Sequence, residues 1–285
     1  MRGMLLAITG FITTGLAANP PANDFIHCKS EPTEGFLAES QTLRAHRKRD
    51  HVDGSWVRAN QSSLLLDTYF HVVTATPNEI TEDQLNRQIE VLNDNFGPYD
   101  IQFKLRGIDW TLNATWANNT YDYWMKKKLH KGDYKTLNVY FISHLVGGGL
   151  GECTFPENST NPTFDITKFM DGCTVDAQTV PGGRRKEANL GKTTTHEVGH
   201  WFGLYHTFYG GCDFGDGIDD TPAQYEGGSP EIGCDHPRDT CPDQPGNDPM
   251  FNYMDYTGDA CYREFTPGQK DRMFENFLAY RAQVG

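Results

Sequence analysis

Three histidines and a glutamate fall within one short run, His196-Glu197-Val198-Gly199-His200-Trp201-Phe202-Gly203-Leu204-Tyr205-His206. Residues four apart on a helix share a face, so His196 and His200 can present imidazoles to one tetrahedral zinc ion with Glu197 beside it. Gly203 can take the left-handed backbone that ends a helix, turning the chain so that His206 arrives as a third ligand. Three neutral nitrogens leave a fourth position for water, whose pKa zinc lowers toward neutrality. Glu197 is then placed to take a proton from that water and pass it to a leaving amine, first as general base and then as general acid. In a chain of this length the five-residue core arises by accident roughly 0.02 times and the full spacing roughly 0.00006 times, so histidines that merely pack in a core are the weaker explanation.

A helix from Gly191 to Gly203 needs a layer to rest on, and the residues upstream supply one. Leu64-Leu-Leu-Asp-Thr-Tyr-Phe-His-Val-Val is bulky and β-branched and reads as a strand, with His71 inside it as a structural residue. Thr81, with Gln84 three residues on, opens a helix that carries Leu85, Ile89 and Leu92 at helical spacing. Ile101-Gln-Phe-Lys-Leu and Leu137-Asn-Val-Tyr-Phe-Ile read as two further strands. Helices between strands imply crossovers and parallel pairs, hence an α/β fold. Lys126, Lys127 and Lys128 fall in a helical stretch and are expected on a solvated face. Between Thr207 and Ala260 twelve acidic residues face one basic residue, Arg238. Glycines, prolines, Cys212, Cys234, Cys241 and the adjoining Cys261 make this an irregular lower subdomain stapled covalently. Thr266-Pro267 then opens a final helix through Tyr280.

The chain has 285 residues, 37% hydrophobic and 12% aromatic, too apolar for disorder. A net charge of −13 argues against a nucleic-acid partner. Met1-Arg2-Gly3, the apolar run Met4 to Ala17 and a small-residue exit read as a removable secretory leader over residues 1–18. The run is too short for a membrane span, and no later segment is apolar enough. The expected product is therefore secreted, extracellular and soluble, and it is expected to act as a monomer. Residues 19–60 show little periodicity and read as a prosegment or N-terminal arm, with a candidate dibasic processing site after Arg49. Residues 61–285 are expected to form the catalytic domain, upper part 61–203 and lower part 204–285. Asn60, Asn113, Asn118 and Asn158 head N-glycosylation sequons. Of seven cysteines, six lie in the second half and can form three bridges, leaving Cys28 as the odd one. Spacing alone leaves their connectivity open.

The eleven-residue pattern, followed by Asn252-Tyr253-Met254-Asp255-Tyr256, resembles the metzincin metalloproteases. The resemblance implies that Met254 forms the apolar Met-turn beneath the metal and that the Tyr256 hydroxyl helps hold the developing oxyanion. Within that group the chain is most similar to the pappalysin or cytophagalysin family, in its fungal secreted branch. That similarity runs from about Leu64 onward through GGGLGECTFP (147–156), CDFGDGIDDTP (212–222), NYMDY, Cys261 and FTPGQ.

The family implies a metzincin-like α/β (α+β) fold: a twisted, mostly parallel sheet with helices above a zinc cleft, and the disulfide-bonded part with its C-terminal helix below. It also implies an upper edge strand at Gly148, Gly149, Leu150 and Gly151 that binds protein or peptide substrates in extended form. Disulfides by family order join Cys212 to Cys241, Cys234 to Cys261 and Cys153 to Cys173. Asp213, Asp216, Asp219 and Asp220 are candidate calcium ligands near the active-site helix. Cys28 is a candidate zinc ligand of a latent form, as prosegment cysteines are in several metzincins. Asp259, near the expected S1′ wall, and the acidic lower half favour basic or polar substrate side chains. The implied activity is that of a secreted zinc endopeptidase. Its rival is a catalytically silent secreted zinc-binding protein of the same fold, against which Glu197 argues.

Overall fold

The structure, a computed structural model, describes residues 28–53, 63–230 and 232–284. The expected leader and the Asn60 sequon lie outside the described residues. In chain order the elements are α1 (Glu34–Asp53), β1 (Leu64–Thr74), α2 (Glu82–Phe96), β2 (Ile101–Leu112), α3 (Asp122–Leu129), β3 (Leu137–Ile142), β4 (Gly151–Cys153), α4 (Phe164–Thr167), β5 (Cys173–Asp176), α5 (Lys192–Trp201), α6 (Gly211–Phe214) and α7 (Pro267–Asn276). A π-helical turn, Phe277–Arg281, prolongs α7.

The five strands form one sheet in the order β2-β1-β3-β5-β4, parallel except for β4, which runs antiparallel to β5. Parallel pairing requires crossovers, and α2 and α3 supply them. Thr81 caps α2 in a full capping box with Gln84, satisfying two backbone donors that a helix start leaves open. On one sheet face α2 and α5 bury Leu85, Leu92, Phe96 and Val198 against Phe70 and Phe141. Each such side chain contributes about 1.5–3 kcal/mol by leaving water. α3 covers the other face, where Met125 meets Val73, Tyr140 and Ile142. Here His71 is indeed structural, Nδ1 bonded to Asp109 at 2.8 Å and Nε2 to Asn138 at 2.9 Å.

Two expectations are corrected. The stretch read as having little periodicity carries α1, whose described docking stripe, Phe36, Leu37, Ser40 and Leu43, is too short to stand out among charges. Lys126 is buried instead of solvated: its ammonium reaches the Met170 carbonyl at 3.2 Å and Asp122 at 3.5 Å, beneath the Tyr140 ring.

Below the cleft the chain is irregular and joined by Cys212–Cys241 and Cys234–Cys261, while Cys153–Cys173 ties β4 to β5 at directly opposed positions. The two halves are also locked by Arg281. Fully buried, its guanidinium lies over Trp201 at 3.6 Å and forms a two-pronged pair with Asp171 at 2.9 and 3.0 Å. Asp171 in turn accepts from Trp201 Nε1 and from Thr154, the residue after β4. Among the described residues no helix is long and apolar enough to cross a membrane.

Candidate active site

Every residue of α5 from Thr193 to Trp201 is buried, so the helix runs through the core and its polar side chains must find partners there. His196 donates from Nδ1 to the Tyr253 carbonyl at 2.6 Å, and His200 from Nδ1 to the Leu204 carbonyl at 2.8 Å. A carbonyl only accepts, so these bonds place the protons on Nδ1 and leave Nε2 bare. Gly203 takes φ +84° and its N–H bonds the His200 carbonyl, turning the chain at the helix end. A Cβ here would lie 2.3 Å from Asn276 Nδ2 and 2.7 Å from the Phe36 ring. The turn carries His206 back to the helix, so that His200 Nε2 stands 3.2 Å from His196 Nε2 and 3.1 Å from His206 Nε2. Burial depresses the pKa of His200 and lowers that of His196 to about 4, which keeps both rings neutral. Unshared pairs facing one another at such distances repel unless a cation lies among them, and imidazole nitrogens suit zinc. The residues fit a divalent ion.

Met254 is fully buried under α5, its sulfur 2.4 Å from where a Cβ on Gly199 would stand. Asn252 fixes this turn by exchanging two hydrogen bonds with Gln269 of α7. The Tyr256 ring lies 4.8 Å from that of His206, and its hydroxyl donates to the Cys28 carbonyl at 3.1 Å.

Glu197 is fully buried, and burial pushes its carboxyl up to about 8. Oε2 accepts from Cys28 Sγ at 3.2 Å and from Ser30 Oγ at 3.0 Å, whereas Oε1 has no partner. Gly151 of β4 makes room for this carboxylate: an added Cβ would meet Oε1 at 2.4 Å. The segment around Cys28 lies along β4 as a parallel bridge, Lys29 N–H donating to the Gly151 carbonyl at 3.0 Å. Ser30 Oγ also accepts from the Cys153 N–H at 2.7 Å. Cys28 is the free cysteine among the described residues, and its sulfur joins the three imidazole nitrogens in one group spanning under 4.8 Å. Burial and the neighbouring Glu197 raise its pKa well above that of an ordinary thiol.

Asp259 lines a small pocket beside His196 and Glu197 with Leu150, Ala188, Thr193 and Tyr262. Its Oδ2 accepts from the Leu190 and Lys192 N–H groups, and burial raises its carboxyl to about 6. Gly148 and Gly149 lie in the loop before β4, where the Lys29 stem covers Gly149. Asp213, Asp219 and Asp220 line one surface pocket, and Asp216 lies close enough to Asp220 to feel its charge. Asp213, Asp219 and Asp220 are exposed, Asp220 accepts from the Gly268 N–H, and only Asp216 is buried, with Oδ2 unpartnered. Asn113 and Asn118 follow β2, and Asn158 bonds Glu39 of α1. Sequence reasoning missed Ser30 and the spatial role of Gly151. The signal for Ser30 was its place two residues after Cys28, where an extended chain repeats its facing.

The family described as Peptidase_M43: Pregnancy-associated plasma protein-A matches residues 119–279. An extracellular metalloprotease of Pyricularia oryzae is 48% identical over 99% of this chain and 98% of its own length. Another, from Colletotrichum graminicola, is 49% identical over 79% of this chain and 80% of its own. Mature mirolysin of Tannerella forsythia, solved with a cleaved peptide, superposes with a TM-score of 0.62 at 28% identity, over 76% of this chain and 92% of that one.

Proposed function

The chain belongs to the pappalysin family of metzincin zinc metalloendopeptidases, and from that premise we propose that His196, His200 and His206 hold the zinc ion while Glu197 moves the protons of peptide hydrolysis. The observation that carries this is the convergence of three imidazole Nε2 atoms, two of them fixed proton-free by their Nδ1 bonds, beside a buried carboxylate. Zinc held there supplies a Lewis acid that acidifies water and offsets developing negative charge. Glu197 accepts the proton of the attacking water on the oxygen that Cys28 and Ser30 now occupy, then delivers it to the leaving nitrogen. Tyr256, whose hydroxyl already donates to a peptide carbonyl at this point, does the same for the scissile carbonyl. Met254 shapes the floor. The Gly151 carbonyl and the Cys153 N–H pair with an extended substrate once residues 28–30 leave. The Glu197→Ala variant, assayed on unfolded protein with zinc quantified in parallel, tests the assignment. Retained zinc with lost hydrolysis is expected, and full hydrolysis would refute it.

Residues 28–30 hold the protein latent. With zinc held by the three imidazoles, the Cys28 sulfur would serve as a fourth donor and take the position that water needs. Cys28→Ser is expected to make the unprocessed chain active, and an unprocessed variant as inactive as wild type removes the idea. Processing after Arg49, within α1, separates this segment from the catalytic domain. Asp259 at the small pocket favours a basic or polar side chain after the cut, and a peptide library with only bulky apolar preference there refutes that. The protein acts outside the cell, as its relatives' names say of them. Asp216, with a buried unpartnered oxygen, is the strongest of the four calcium candidates, and metal analysis after gentle chelation tests it.

A further inference from the structure

The N-terminal segment touches the catalytic domain at two separate places, and the second lies outside the cleft. Phe36, on the first turn of α1, is 3% exposed and sits in a cup of three aromatic rings, Phe155, Tyr205 and Tyr280, at centroid distances of 5.3, 6.1 and 5.6 Å. Gly203 forms the base of the cup, since any side chain there would run into the Phe36 ring. One turn later the Ser40 hydroxyl meets the Tyr205 hydroxyl at 2.6 Å, and Glu39 accepts from Asn158 Nδ2 at 3.2 Å. All the receiving residues belong to the catalytic domain. The cup adjoins the metal centre through Phe155, whose ring lies 5.3 Å from that of His200.

We infer that this cup is a binding surface for the excised N-terminal segment, with Phe36 as its anchor, so that cutting the chain after Arg49 does not by itself start the enzyme. The inference rests on the latency reading above and adds the source of affinity. Apart from the Cys28 sulfur at the metal site, residues 28–30 contribute a few hydrogen bonds that water can replace, each worth little net. The aromatic anchor buries apolar area, which is what holds a cut segment in place. Between plug and anchor, Glu31-Pro32-Thr33 joins the two without regular structure, and Glu31 and Thr33 are exposed. A second cut at this joint separates the cleft residues from Phe36 and releases both.

The test uses the full chain with a recognition sequence for a site-specific protease inserted after Asp53. After complete cutting, the wild-type segment is expected to co-elute with the catalytic domain in gel filtration, and hydrolysis of a short quenched peptide to appear only on dilution. Phe36→Ala is expected to weaken retention about 10- to 150-fold, from the burial of one phenylalanine side chain. Its cut form should then shed the segment and be active at once. Ser40→Ala, a milder change that guards against misfolding, should weaken retention about 2- to 12-fold. A cut wild type that releases its segment and is as active as cut Phe36→Ala overturns the inference. An uncut Cys28→Ser chain as silent as uncut wild type overturns the latency reading instead, so the two failures are told apart.

Discussion

Gly151→Ala is the sharpest perturbation the structure offers, because it adds one methyl group between the substrate-binding edge and the proton-transferring carboxylate. The new Cβ would stand 2.4 Å from Glu197 Oε1, 2.5 Å from Cγ and 2.6 Å from Cδ. Ordinary contact begins at 3.4 Å, so something must yield by 3.4 − 2.4, about 1 Å. Gly151 is held by its pairing with Val175, and α5 is buried along its length, so the backbone on either side resists. The carboxylate moves, taking Oε2 with it. A misplacement of about 1 Å in a reacting group costs roughly 100-fold in rate. For the processed enzyme on a quenched peptide we therefore expect kcat to fall about 100-fold. KM should stay within about threefold and zinc content unchanged, since neither the edge hydrogen bonds nor the imidazoles are touched. Overpacking should also lower stability by about 1–3 kcal/mol, read as a Tm several degrees lower. Shortening the acid should relieve the clash, so Glu197→Asp should lose less activity in the Gly151→Ala background than in wild type. A Gly151→Ala enzyme with kcat within threefold of wild type would refute the claim that this glycine sets the position of Glu197.

Gly199→Ala should destabilise the fold despite the roughly 1 kcal/mol that alanine gains over glycine in a helix, because its Cβ would fall 2.4 Å from the Met254 sulfur. A raised Tm would show that the Met-turn does not abut the helix there. Tyr256→Phe should lower kcat of the processed enzyme about 100-fold with little change in KM, as loss of one oxyanion donor does, and an unchanged kcat would remove Tyr256 from the mechanism. Burial raises Asp216 from its ordinary 3.8 to about 7, so its contribution to stability is full below pH 4 and is lost as pH rises through 7. In chelator, Asp216→Asn should accordingly gain on the order of 4 kcal/mol relative to wild type between those limits, measured by urea unfolding, and parallel pH profiles would contradict this. Arg281→Met should cost about 3–5 kcal/mol by leaving Asp171 buried without its cation, and a loss under 1 kcal/mol would show the pair to be dispensable.

What could be read beforehand was whatever is encoded locally. The imidazole spacing lies within one helix and one glycine turn, and the boxes at Thr81 and Thr266 are complete within four residues each, so residue types and intervals sufficed. The long strands announced themselves through unbroken apolar runs. Long-range relations were hidden. Gly151 matters because Glu197 reaches it from 46 positions along the chain. Lys126 reads as a surface charge because nothing near it in sequence shows that it reaches the Met170 carbonyl. α1 leaves little trace in the sequence since the rings that hold it come from three distant segments, not from its own pattern. The disulfide partners followed from family likeness alone.

The Asp171–Arg281 lock has a bearing on truncation of the chain. Its two halves are 110 residues apart, and the later one packs on the ring and bonds the carbonyl of Trp201, the residue after His200. A chain cut short before position 281 would lack the cation that pairs with Asp171 and the donors that meet the Trp201 carbonyl, leaving a buried carboxylate uncompensated next to the metal-binding helix.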